Sequence, residues 1–158
     1  MEIKIIEGDL LDQDVDVIVN AWNRNLFPWW LLLPQGVSGA IKRRAGTQPF
    51  RELAKMSLIP LGGAVRTSAG NLPYKAIIHV AGINLLWMAS ERSIRLSVRN
   101  AIELAKRNGD ASIALPLIGA GSGGGRPEKV LRWMRDELSQ LDFAGEVRII
   151  QFKATTKP

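Results

Sequence analysis

At 158 residues the chain has the length of one domain rather than two, and a composition of 46% hydrophobic and 23% charged residues is that of a folded globule. The absence of cysteine excludes a disulfide scaffold, a thiolate nucleophile and sulfur-ligated zinc, and the single histidine, His79, excludes metal sites built on a histidine pair. Lys and Arg outnumber Asp and Glu by 21 to 15, a net charge of +6 that suits an anionic partner without choosing among nucleotides, nucleic acids and acidic proteins.

The amino terminus, MEIKIIEGDLL, has neither a basic stretch nor a long apolar run, so no signal peptide and a cytoplasmic location are expected. Residues 2–6 and 16–19 predict the first two strands. Residues 27–34 then break the pattern, with Phe27, Trp29, Trp30, Leu31, Leu32 and Leu33 set among Pro28 and Pro34. Crossing a bilayer takes about 20 apolar residues, so no membrane span is expected. The segment reads either as a loop folded onto the core or as a ligand lid or protein contact, and the stretch from Trp29 to Leu33 would serve as a homo-oligomer surface. Residues 38–44 and 48–55 predict two helices, and 64–67 and 76–80 two more strands. Between residues 90 and 107, Ile94, Val98, Ala101, Ile102 and Ala105 recur at helical spacing, with Ser90 as cap and Asn108-Gly109 as stop. A strand at 112–115, a helix at 127–138 opened by Pro127 and a strand at 147–152 complete the chain. This alternation predicts an α/β fold: a single domain over residues 1–153 with a central mixed β-sheet, its strands largely buried on both faces and flanked by helices on both, followed by a short tail at 154–158.

Two motifs carry chemistry. The first is ALPLIGAGSGGG, a strand that runs into Gly119, Ala120, Gly121, Ser122, Gly123, Gly124 and Gly125 ahead of a helix. Without Cβ atoms such a loop lets N–H groups converge on a phosphate, and the helix adds its positive end. Gly119, Gly121 and Gly124 also fit G-x-G-x-x-G, but only one strand follows and no acidic residue ends it, so a dinucleotide-binding fold is the weaker reading; no Gly-Lys-Ser/Thr follows to make a P-loop. The second motif links VIVNAWN to GVSGAI. Asn20 and Asn23 end a strand where amides can meet ribose hydroxyls or simply form a turn, and Gly36, Val37, Ser38 and Gly39 can offer N–H groups to a second phosphate face.

At these residues the sequence resembles the macro domain family of ADP-ribose-binding modules. Gly8-Asp9-Leu10, VIVNAWN, GVSGAI and ALPLIGAGSGGG are similar to family segments in the same order, as are Asn71-Leu72-Pro73 and the segment from Ile78 to Gly82. The resemblance implies a cleft for ADP-ribose or an ADP-ribosylated macromolecule, with no cofactor and no metal. Asp9 and Leu10 would lie at the adenine end, Asp9 taking the adenine amino group and Phe152 stacking on the ring. Asn20 and Asn23 would lie near the distal ribose, and the loops of Gly36, Val37, Ser38 and Gly39 and of Gly119 to Gly124 would grip the diphosphate. Asn23 would be the catalytic residue in hydrolytic members, and His79 a structural one.

Departures bear on activity. Many hydrolytic members carry Asp where this chain has Ser38, a poor base without a partner, and the family aromatic of the second loop is replaced at Gly123. The expectation is therefore binding of ADP-ribose or a derivative, with two alternatives left open: hydrolysis of ADP-ribosyl linkages (protein ADP-ribose, O-acetyl-ADP-ribose or ADP-ribose-1''-phosphate) by a water held between phosphate and Asn23, or a non-catalytic ADP-ribose reader. A rival from another class is weak nucleic-acid binding, with Trp22, Trp29 and Trp30 as base-stacking surfaces on a basic protein.

Overall fold

The computed structural model describes residues 1–24, 36–84, 86, 88–121 and 123–153. Along these residues run β1 (Glu2–Gly8), a 3-10 turn (Leu10–Asp12), β2 (Val17–Trp22), α1 (Gly36–Ala45), α2 (Gln48–Ala54), β3 (Ala64–Thr67), β4 (Ala76–Ala81), α3 (Glu91–Arg107), β5 (Ser112–Pro116), α4 (Pro127–Leu138) and β6 (Glu146–Phe152). The strands form one mixed sheet in the order β1-β6-β5-β2-β4-β3. Every neighbouring pair is parallel except β3 and β4.

Strand alternation sorts the core into two layers. Val17 and Val19 of β2, with Ile78, Ile113 and Ile149 of its neighbours, pack on Val98 and Ile102 of α3 and Met134 of α4. Ile18 and Trp22 point the other way, with Ile77, onto Ile41 of α1 and Phe50 and Leu53 of α2. This is the α/β sandwich, helices on both faces, that the alternating sequence predicts.

Helix α3 shows why the pattern was readable. Ile94, Val98, Ala101, Ile102 and Ala105 are all fully buried, and each larger one contributes roughly 1.5–3 kcal/mol of transfer free energy. Ser90 and Ser93 cap the helix reciprocally: the Ser93 N–H donates to Ser90 Oγ (3.1 Å) and the Ser90 N–H to Ser93 Oγ (2.9 Å). Ser93 Oγ also donates to the Gly82 carbonyl (2.8 Å), which ties the start of α3 to the exit of β4.

One expectation needs correcting. β1 is not buried on both faces; it is one of the two edge strands, β3 being the other, it pairs only with β6, and Ile3 and Ile5 are 37% and 41% exposed. Its apolar content suits either place, because sheet position is decided by long-range pairing rather than by the strand's own residues. Among the described residues no helix is long and apolar enough to cross a membrane.

Candidate ligand cleft

Because β1, β6, β5, β2 and β4 are mutually parallel, their carboxyl ends emerge together along one side of the sheet. β2 and β5 are neighbours, yet the chain leaves β2 toward α1 on one face and leaves β5 toward α4 on the other. In such sheets the crevice beyond that divergence is where ligands bind. The pairing itself opens there: the β2–β5 ladder holds only Val17↔Ile113 and Ile18↔Ala114, while β2 continues beside β4 as far as Trp22↔Ala81. Pro116, which ends β5, has no N–H with which to extend the ladder.

On the β2 side stands the first glycine motif. Gly36 opens α1 at φ +60°, a backbone state that suits glycine. Gly36, Val37 and Ser38 form the first turn of the helix, whose N–H groups have no intrahelical acceptor and mark its positive end. Gly39 is buried beneath them. Asn23, just past β2, is 8% exposed. Asn20 was expected near a ligand and is instead fully buried, its amide held between two protein partners.

Those partners belong to a polar seam that crosses the sheet under α1 and α2. Ser38 Oγ donates to Asn20 Oδ1 (2.8 Å), and Asn20 Nδ2 meets His79 Nδ1 (3.1 Å). His79 Nε2 meets Thr67 Oγ1 (2.8 Å), and Thr67 Oγ1 donates to the Ser68 carbonyl (3.0 Å). The Ser68 N–H and hydroxyl donate in turn to the Glu52 carboxylate (2.8 and 2.5 Å), which holds that carboxyl below its usual range. Asn20 and His79 are register partners on adjacent strands, with Thr67 on the next. Burial pushes the fully enclosed His79 imidazole down to about 3, against a weaker upward pull from Glu52, so the ring is neutral near pH 7. Sequence reasoning placed His79 as structural and did not find Thr67, Ser68 or Glu52; no spacing links residues that only strand register brings together.

On the β5 side the second glycine loop is folded tightly on itself. The Gly125 N–H donates to the Gly119 carbonyl (2.9 Å), Gly124 N–H to Gly121 (3.2 Å) and Ala120 N–H to Leu117 (3.2 Å). Gly119 and Gly124 take φ +81° and +69°. A Cβ on Gly119 would come within 2.5 Å of Ala89 Cβ, and one on Gly123 within 2.6 Å of the Gly119 oxygen, whereas Gly121 and Gly124 face open space. This packing explains why no aromatic stands at Gly123. Ser122 lies outside the described residues, as does the segment 27–34 with Trp29 and Trp30.

At the far end of the cleft, Gly8 and Phe152 are register partners at the ends of β1 and β6, which places Asp9 beside Phe152. Phe152 is 72% exposed and thus no core residue. Asp9 caps the 3-10 turn, its Oδ1 accepting from the Leu11 N–H (2.8 Å), and Leu10 is buried behind it. Trp22 is 6% exposed and packs against Phe50 at 5.4 Å between ring centres, so it offers no face for a stacked base.

The Macro domain family profile matches residues 19–134. The chain belongs to the macro domain family. Over 127 residues it is 38% identical to an O-acetyl-ADP-ribose deacetylase of Escherichia fergusonii, a match covering 75% of this chain and 68% of the relative. Its fold is similar to the Oceanobacillus iheyensis macrodomain solved with ADP (TM-score 0.82, 28% identity, 95% of this chain and 83% of that one). It is also similar to the Trypanosoma brucei macrodomain solved in complex with ADP-ribose (TM-score 0.76, 27% identity, 94% and 63%). This macro domain thus has the fold of the family, one mixed six-stranded sheet with four α-helices among the described residues.

Proposed function

We infer that this macro domain binds ADP-ribose or an ADP-ribose derivative along the carboxyl ends of its parallel strands. The observation that carries the reading is the opening of the β2–β5 ladder at the point where the chain departs to opposite faces, with one glycine motif on each side. Three strand spacings separate β1 from β2, so a ligand reaching from Asp9 and Phe152 to Ser38 must span roughly 14 Å. That is the reach of a nucleotide diphosphate carrying a further sugar, and it exceeds that of a free phosphate. In this arrangement Asp9 and Phe152 hold adenine, Leu10 backs Asp9, and Gly36, Val37, Gly39, Gly119, Ala120, Gly121, Ser122, Gly123 and Gly124 surround the diphosphate. Asn23 and Ser38 meet the distal ribose, and Asn20 acts from beneath them.

Hydrolysis at the distal ribose follows without a protein carboxylate if the ligand's own phosphate and Asn23 hold the attacking water and the phosphate stabilises the cationic sugar. Relatives named O-acetyl-ADP-ribose deacetylase support hydrolysis on an ADP-ribose derivative; for an acetyl ester the same held water would attack the acetyl carbonyl, and no cationic sugar forms. The alternative, a reader that binds without turnover, is favoured by one observation: the Ser38 hydroxyl donates its proton to Asn20 and is no base. Calorimetry with ADP-ribose, ADP and AMP, followed by product analysis on O-acetyl-ADP-ribose and ADP-ribosylated protein, tests both. ADP-ribose should bind at least tenfold more tightly than AMP; equal affinities would defeat the cleft assignment, and tight binding without product would favour the reader.

A further inference from the structure

The buried seam has a direction, and the direction reaches the cleft. Each group in it holds few protons, so fixing one bond fixes the rest. The Thr67 hydroxyl donates to the Ser68 carbonyl at 3.0 Å and can then only accept from His79 Nε2, 2.8 Å away. A neutral imidazole that carries its proton on Nε2 has a bare Nδ1, which accepts from the Asn20 amide at 3.1 Å. The Asn20 carbonyl oxygen then faces Ser38, whose Oγ lies 2.8 Å away, an ordinary distance for O–H···O.

The reverse arrangement fits worse. With the proton on Nδ1 and the Asn20 amide turned round, the Ser68 carbonyl would lose Thr67. Ser38 would then have to donate to the Ala21 carbonyl at 3.3 Å, beyond the usual range for O–H···O.

We propose that His79 is a positioning residue for the cleft: as the Nε2–H tautomer it holds Asn20 so that Ser38 spends its only proton inward and offers incoming ligands lone pairs alone. The Ser38 hydroxyl, as distinct from the backbone N–H of the same residue, is therefore an obligate hydrogen-bond acceptor at the first turn of α1. It recognises a donor, such as a hydroxyl of a distal sugar, and gives an anion nothing beyond what the backbone offers. This inference rests on the ADP-ribose reading of the cleft for the identity of that hydroxyl, and on the seam alone for the direction of the protons.

Two measurements test it. In long-range nitrogen–carbon NMR of the ligand-free protein, the sole histidine should show the Nε2–H pattern, and an Nδ1–H pattern would overturn the proposal. Calorimetry then compares ADP-ribose with ADP, which lacks the distal sugar. His79→Gln and Thr67→Val should each cut the preference for ADP-ribose about fivefold, the size of one neutral hydrogen bond, while Thr67→Ser, which keeps the hydroxyl, should retain it. A folded Thr67→Val with an unchanged preference would overturn the proposal even if His79→Gln does not fold. Failure of the wild-type protein to bind ADP-ribose would instead defeat the cleft assignment, and the NMR pattern, which needs no ligand, would still decide the direction of the seam.

Discussion

At the scale of single residues, the seam turns His79 into a stability term as well as a positioning one. Its proton affinity is depressed from 6.5 to about 3 by burial, so between those values the unfolded chain binds a proton that the folded chain refuses. The contribution is complete above pH 6.5 and is lost as pH falls toward 3. Between pH 6.5 and 5, above the range in which Glu52 titrates, the wild type should lose about 1.5 kcal/mol more than His79→Gln. Urea denaturation of both proteins across that interval checks the difference, and parallel curves would refute it. The residue scale is also where the sequence was least legible. The motif that proposes Ser38 and Asn23 also proposes Asn20 for the ligand, because it conceals that this asparagine faces inward. In β2, Asn20 shares a face with Ile18 and Trp22, and only knowledge of the layer beneath could have buried it.

The elements were more legible, because their signals are local. The spacing of Ile94, Val98 and Ile102 marks α3, Pro127 marks the start of α4, and the predicted strands and helices recur with their ends moved by a few residues. Partnership between elements was not legible. Arg66 on β3 reaches the turn between α3 and β5, where its guanidinium grips the Asp110 carboxylate at 2.5 and 3.2 Å. The Asp110 side chain is 2% exposed, so removing it alone would strand a half-buried charge. Asp110→Ala should cost about 3 kcal/mol, read as a fall in the denaturation midpoint, whereas the Arg66→Met Asp110→Ala double variant should recover part of that loss. Nothing in the sequence couples residues 66 and 110; the antiparallel addition of β3 at the sheet edge does so.

For the whole molecule, the sheet order matters more than any one contact. β6 lies between β1 and β5, pairing with β1 at seven positions from Glu2↔Glu146 to Gly8↔Phe152 and with β5 at five from Ser112↔Glu146 to Pro116↔Ile150. Deleting residues 146–158 should therefore abolish cooperative unfolding by circular dichroism and calorimetry rather than shave stability from one edge; a truncated chain that still melted in one sharp transition would contradict this. The same order sets a schedule during synthesis. β1 is made long before β6 and must wait without its one sheet partner until that strand is made. At a typical elongation rate of about 5–20 residues per second that wait lasts on the order of ten seconds. Asp9 and Phe152 become neighbours only when that strand docks, so this end of the proposed cleft cannot form until the chain has been made as far as β6.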